Sequence, residues 1–120
     1  MQISQVNPRE DEIMAVITLP QTVQNFVTAT NAHDSEALFA VFAPGATVVD
    51  DGTTYATEAD IRGFIKVHLV DPKVVITPIS YGAGRMMAPP ASEAPGGPLT
   101  FAFTFETKDD LITHLSIDVA

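Results

Sequence analysis

The stretch Leu99-Thr100-Phe101-Ala102-Phe103-Thr104-Phe105 decides the fold more than any other part of the chain. Its bulky apolar residues alternate strictly with small or polar residues, which is the period of a strand with one buried face. Such a face needs a second layer to pack against. The stretch therefore predicts a sheet that is covered on one side by other elements of the chain.

Strand patterns continue on both sides of this stretch. Residues 111–120 predict a last strand after the turn Lys108-Asp109-Asp110, and residues 74–81 are rich in β-branched and aromatic residues. Pro78 cannot donate to a strand ladder, so it indicates an edge or a bulge in the second of these segments. Residues 88–98 contain four prolines and two glycines, which predict a loop between the strands.

Helical spacing dominates the first half of the chain. One helix is predicted from Asn7 up to a break near Leu19, and a second begins at Pro20. A short third helix is predicted to start at Asp34 or Ser35 and to run through Phe42. A short β run, residues 46–50, precedes a fourth helix. That helix starts at Thr57, and its inward face is expected to hold Ile61, Phe64, Ile65 and His68.

Helices followed by a β meander predict an α+β domain with an antiparallel sheet. We expect one domain over residues 20–120 and a helical extension over residues 1–19. The chain of 120 residues is 46% apolar, which suffices for a single core.

Charge and cysteine content argue against several classes of function. The net charge is −9 and the six Lys and Arg residues are scattered, so we expect no nucleic-acid partner and no anionic membrane surface. There is no cysteine, which excludes disulfides and thiolate metal sites. The N-terminus lacks a signal-peptide pattern, and we expect a cytoplasmic protein.

Several stretches occur in an order that is found in a known superfamily. They are Asn31-Ala32-His33-Asp34, Leu38 to Phe42, Ala43-Pro44-Gly45-Ala46-Thr47-Val48-Val49-Asp50, Tyr55-Ala56, the helix with Ile61 and Phe64, Gly96-Gly97-Pro98 with the phenylalanine strand, and Ile112 to Ile117. Over about residues 20 to 120 this order resembles the nuclear transport factor 2-like superfamily, particularly its SnoaL-like and ketosteroid-isomerase-like members. The resemblance implies a cone-shaped roll in which N-terminal helices pack on a strongly curved sheet. It also implies an apolar pocket for a small apolar molecule and a homodimer formed through the sheet.

Asp50 is the first candidate for chemistry. Strand alternation places it on the same face as Val48, which is expected to face the pocket. The position resembles the general-base aspartate of the ketosteroid-isomerase-like pattern, and desolvation in an apolar cone would raise the pKa of this carboxyl group. A second interpretation stays open, because Asp50-Asp51-Gly52 could simply close the strand into a turn.

The other positions of the isomerase pattern differ. The oxyanion-binding tyrosine of the family falls at Phe26, its supporting tyrosines near Phe42 and Ile65, and its second acid at Phe101 or Ala102. Loss of one oxyanion donor costs roughly 10²–10³ in rate, so steroid isomerase activity is disfavoured.

His68 is the second candidate, because it shares the apolar face of the fourth helix and could pair with Asp50 across the cone. A lone histidine on an apolar face is more often a satisfied core residue, and that interpretation stays open. His114 and Asp118 are expected to face solvent or a dimer partner, and His33 to be solvated. The separated histidines predict no metal site, and we expect no cofactor. The residues predicted to line the pocket are Phe26, Phe42, Val48, Tyr55, Phe64, Ile65, Phe101, Phe103, Leu115 and Ile117.

Two hypotheses of function remain open. The first is a cofactor-independent isomerase, cyclase or dehydratase with Asp50 as the base and His68 as its partner. The second is a non-catalytic module that binds an apolar ligand or dimerises. The feature that separates them is polar convergence, since an enzyme should bring at least two polar groups together in the cone and a binder needs only one or none.

Overall fold

The computed structural model describes residues 17–89 and 100–119. The predicted helix from Asn7, most of the predicted proline-rich loop and Leu99 lie outside these residues. Helix α1 spans Gln21–Asn31, α2 spans Ser35–Phe39 and α3 spans Glu58–Phe64. The chain continues from α3 directly into a π-helix, π1, at Ile65–Val70.

Six strands form one mixed sheet that does not close on itself. They are β1 (Phe42–Asp50), β2 (Thr53–Tyr55), β3 (Ser80–Gly82), β4 (Arg85–Ala88), β5 (Phe101–Lys108) and β6 (Leu111–Val119), in the order β2-β1-β6-β5-β4-β3. The β1–β6 pair is parallel and every other pair is antiparallel. The helices pack on one face of this sheet, so the predicted α+β roll is confirmed.

Local signals account for the starts of two helices. The Asp34 side chain accepts a hydrogen bond from the Ala37 N–H at 3.0 Å, and the Thr57 hydroxyl accepts one from the Asp60 N–H at 3.0 Å. The third predicted helix is shorter than expected. It ends at Phe39, and Phe42 instead begins β1.

The strand that contains Phe42 also includes Pro44 and Gly45, a dipeptide that is typical of a turn. In the structure this dipeptide sits inside β1, where the register with β6 shifts between Phe42 and Thr47. Gly45 has a φ of +79°, which glycine adopts without steric cost. The irregularity therefore bends the strand rather than ending it.

The segment that follows π1 is held to α1 by one side chain. Asn31 Nδ2 donates to the Ile76 carbonyl at 2.9 Å, and the Ile76 N–H donates to Asn31 Oδ1 at 2.7 Å. His33 Nε2 lies 3.1 Å from the Val74 carbonyl oxygen, so this side chain is half-buried and not solvated as expected. These contacts fix residues 74–76 against the helical layer. The strand that the sequence predicted over residues 74–81 therefore begins only at Ser80, as β3.

The core lies between the helices and the inner face of the sheet, with Phe26 at its centre. The Phe26 side chain has no exposed surface, and its ring centroid lies 6.4 Å from that of Phe42 and 5.4 Å from that of Phe105. Both pairs meet edge to face, the favourable geometry for aromatic rings. The phenylalanines of the alternating strand thus pack under α1, as their period predicted.

Candidate functional site

Two adjoining cavities open at the end of the sheet where β1 and β6 finish. The inner chamber, of about 270 Å³, lies between π1 and the sheet. The outer chamber, of about 540 Å³, extends past the turn after β1 and is lined mostly by exposed residues. Both are lined by Asp50, His68, Phe101 and Ile117, which therefore form the waist between them.

The walls of the two chambers differ in character. Beyond the waist, the inner chamber is lined by apolar side chains, namely Phe64, Val67, Leu69, Pro72, Val74 and Phe103. The outer chamber is lined by mostly polar side chains, namely Asp51, Thr53, Tyr55, Asp118 and Val119. A ligand that spans the waist would meet an apolar surface at one end and a polar, acidic surface at the other.

Asp50 sits at the last position of β1, and its side chain is half-buried. Desolvation by burial raises the pKa of this carboxyl group above its ordinary value of 3.8. The positive charge of His68 opposes the rise in pKa, whereas the neighbouring carboxylates of Asp51 and Asp118 add to it. A carboxylate of this kind is a stronger base than a solvated one, which suits it to remove a proton.

His68 lies in π1 and contacts two aromatic rings. Its ring stacks on Phe64 with centroids 5.4 Å apart and planes 30° apart, and its Nε2 lies 3.4 Å from the Tyr55 hydroxyl oxygen. Tyr55 also packs on Phe64, with centroids 5.1 Å apart. The Phe64 and Tyr55 rings hold the imidazole at the waist, where Asp50 also lies.

The expectation that His68 points into the core needs correction. Its side chain is exposed, and Leu69 takes the buried position one residue later. The reason is the switch from α-helix to π-helix after Phe64, which adds residues per turn and rotates the following side chains. Because π-turns interrupt regular helices and recur at functional sites, this one also marks the candidate site.

The predicted pocket residues divide into two groups. Phe64, Phe101, Phe103 and Ile117 line the inner chamber, and Tyr55 lines the outer one. The other predicted residues are buried core residues that line neither chamber: Phe26, Phe42, Val48, Ile65 and Leu115. They lie deeper than expected because the aromatic cluster around Phe26 fills the space between α1 and the sheet.

Two residues on β6 have different surroundings. His114 lies on the outer face of the sheet, where its Nδ1 is 2.6 Å from the hydroxyl oxygen of Thr47 in the neighbouring strand. It is half-buried and away from both chambers. Asp118, which was expected to face solvent or a partner, is exposed and also lines the outer chamber, because β6 ends at its mouth.

Sequence reasoning missed two chamber residues of π1 and two in the segment after it. Val67, Leu69, Pro72 and Val74 line the inner chamber, but no helical or strand period groups them. Pro72, two residues beyond the end of π1, was the available signal for a sharp change of direction. Among residues 17–89 and 100–119, no group of three or more His, Asp or Glu side chains is arranged to hold a metal ion.

No protein-family model and no curated protein sequence matches the chain. Solved structures do. A candidate polyketide cyclase from Sinorhizobium meliloti is 27% identical, covers 83% of this chain and 95% of its own, and superposes with a TM-score of 0.71. The chain has the nuclear transport factor 2-like fold. This finding confirms the resemblance that the sequence suggested.

Two further structures of this nuclear transport factor 2-like group support the fold alone. A Catenulispora acidiphila protein with a ketosteroid isomerase-like fold, in complex with trimethylamine, is 24% identical over 84% of this chain and 86% of its own, with a TM-score of 0.69. A nuclear transport factor 2-like protein of unknown function from Cytophaga hutchinsonii is 12% identical over 87% and 91%, with a TM-score of 0.64. In the described part of the present domain, no helix has the length and hydropathy needed to cross a bilayer.

Proposed function

We propose that this domain binds a small apolar molecule in the inner chamber and that Asp50 removes a proton from it without a cofactor. The observation that carries the proposal is a half-buried carboxylate of raised pKa on the wall of a chamber whose other lining residues, apart from His68, are apolar. Isomerisation, cyclisation and dehydration all begin with such a proton transfer. The likeness to the Sinorhizobium meliloti protein agrees with this class of chemistry.

Polar convergence favours an enzyme over a simple binding module. Asp50 and His68 both border the inner chamber, and the Tyr55 hydroxyl lies 3.4 Å from the His68 ring nitrogen. A carboxylate and an imidazole at the waist, with a phenol beside the imidazole in the outer chamber, provide a base and two groups that can relay or return a proton. The alternative function, binding of an apolar ligand without catalysis, needs none of these to react.

The experiment uses a substrate that reports general-base chemistry by itself. In the elimination of a nitrobenzisoxazole, a base takes the ring C–H proton, the N–O bond breaks and a coloured cyanophenolate forms. We expect the protein to accelerate this reaction and Asp50→Asn to lower the rate by about 10²-fold or more. The rate should also fall as pH drops through the pKa of Asp50, with a midpoint above 3.8, because only the ionised carboxylate is a base.

The matched control is Asp109→Asn, which removes the same charge in the exposed turn between β5 and β6, at the opposite end of the strands. Asp109 has a φ of +54°, which asparagine tolerates. This variant should keep the full rate. Equal rates for the wild-type protein and Asp50→Asn would refute the general-base role and leave the binding module as the function.

A homodimer is part of the same proposal. The outer face of the sheet carries half-buried Thr47, Val49, His114 and Ser116 and is not covered by any described helix. We expect sedimentation velocity to give twice the monomer mass and Val49→Arg to give the monomer mass, since a buried charge without a partner opposes association. A monomer for the wild-type chain would contradict this. The cytoplasmic location and the absence of a cofactor stay predictions.

A further inference from the structure

The charged side chains that line the two chambers are mostly acidic. Asp50, Asp51 and Asp118 line them, and no Lys or Arg of the described residues does. Two cations of α3 and π1 are paired with carboxylates outside the chambers: Arg62 contacts Glu36 at 2.9 Å, and Lys66 contacts Asp71 at 3.0 Å. Both line a separate groove with Ser35 and Val70. Among the described residues that line the two chambers, His68 is the one basic side chain beside three carboxylates.

The volume of the inner chamber suits a small apolar group. A cavity of roughly 150 Å³ holds benzene, so about 270 Å³ accommodates one ring with a short substituent. The Phe64, Phe101 and Phe103 side chains give this chamber aromatic walls. Aromatic faces attract apolar rings and also attract cations that approach them.

These observations favour one charge and one orientation of a ligand. We propose that the site takes a small organic cation, an amine that carries one apolar ring, with the ring in the inner chamber and the ammonium group among Asp50, Asp51 and Asp118 in the outer chamber. An anionic ligand of the same size would meet three carboxylates and no Lys or Arg, so it is rejected. The inference rests on the pocket in the proposed function, but not on catalysis.

Asp50 gains a second role in this arrangement. The like charges of Asp51 and Asp118 contribute to the raised pKa of Asp50, and an ammonium group placed between them offsets that repulsion. Bound cation therefore lowers the pKa of Asp50 and keeps the carboxylate ionised, which is the form that accepts a proton. The ionised form of Asp50 then favours both the binding of the cation and the removal of a proton.

The test compares three soluble probes of one shape and different charge: benzylammonium, benzyl alcohol and benzoate. Affinities come from NMR titration at low salt, with the signals of Phe103, Val74 and Ile117 reporting on the inner chamber. We expect benzylammonium to bind roughly tenfold or more tightly than benzyl alcohol, as a hydrogen bond to a charged group allows, and benzoate most weakly. Added salt should reduce the preference for the cation.

Three variants separate the possible results. Asp50→Asn and Asp118→Asn should each reduce the preference for benzylammonium over benzyl alcohol, and Asp109→Asn should not, although it changes the net charge equally. Binding of benzyl alcohol or benzoate as tight as that of benzylammonium, with shifts at the same residues, overturns the cation inference and leaves the proposed pocket standing. If no probe shifts these residues, the cation inference and the pocket both fail.

Discussion

Phe26→Ala is expected to lower the free energy of unfolding by about 3–5 kcal/mol. The side chain is fully buried, and its ring packs on the rings of Phe42, Phe103 and Phe105. Truncation removes these contacts and leaves a void that the surrounding strands cannot fill without moving. Because domains of this size have only about 5–15 kcal/mol in total, the variant should be marginally folded. Urea denaturation measures the change.

Two comparisons make this expectation specific. Phe39→Ala truncates a half-buried phenylalanine, whose ring carries the Arg62 guanidinium 3.9 Å from its centroid, and it should cost clearly less. Phe26→Tyr restores the hydroxyl that the resemblance places in isomerases. It should also destabilise, because a polar group without a partner would be buried at this position. A cost for Phe26→Ala no larger than that for Phe39→Ala would contradict the central place of this ring in the core.

We expect Asn31→Ala to lower the free energy of unfolding by about 1–3 kcal/mol, since it removes two hydrogen bonds and leaves both backbone groups of Ile76 without these partners. The effect should also be local. Hydrogen exchange of the Ile76 amide should accelerate, because its N–H donates to Asn31 Oδ1 at 2.7 Å. Val74 lines the inner chamber two residues earlier, so ligand affinity should fall as well.

Asn25→Ala is the matched control for this expectation. It makes the same substitution in the same helix, but the Asn25 side chain only accepts an exposed hydrogen bond from Gln21 at 2.8 Å. Its cost should stay within about 0.5 kcal/mol, the usual range for surface substitutions. Equal costs at the two positions, together with unchanged exchange at Ile76, would mean that residues 74–76 are held by other contacts.

Elements whose signals are local could be predicted from the sequence. The apolar period of Gln21–Asn31, the capping threonine at Thr57 and the alternation through Phe105 all appear in the structure as expected. Each depends on neighbours within a few residues, where side-chain spacing and capping hydrogen bonds decide the backbone. The assignment of Phe42 to a helix was wrong because its burial fits helix and strand equally well. The parallel partner β6, far along the chain, decided between them.

The candidate site was predicted in part. Strand alternation placed Asp50 on the inner face, and the structure puts it on the wall of the inner chamber. The exposure of the His68 side chain was not predictable from the sequence. It follows from the π-helix, which moves Leu69 into the core in its place, and the π-helix depends on packing against the sheet and not on residue spacing. The contact between Tyr55 and His68 joins two elements and has no counterpart in the sequence pattern.

The sequence by itself determined the α+β class, the half-buried strand, the helix starts and the acidic charge, because these follow from local spacing, capping and composition. The tertiary structure alone decided that β1 and β6 pair in parallel, and hence that Asp50 and Asp118 end at the same opening. It also decided that Phe26 fills the core and leaves the free space beside π1. The physical reason is that close packing and strand register depend on residues distant in the chain, whose contacts exist only after folding.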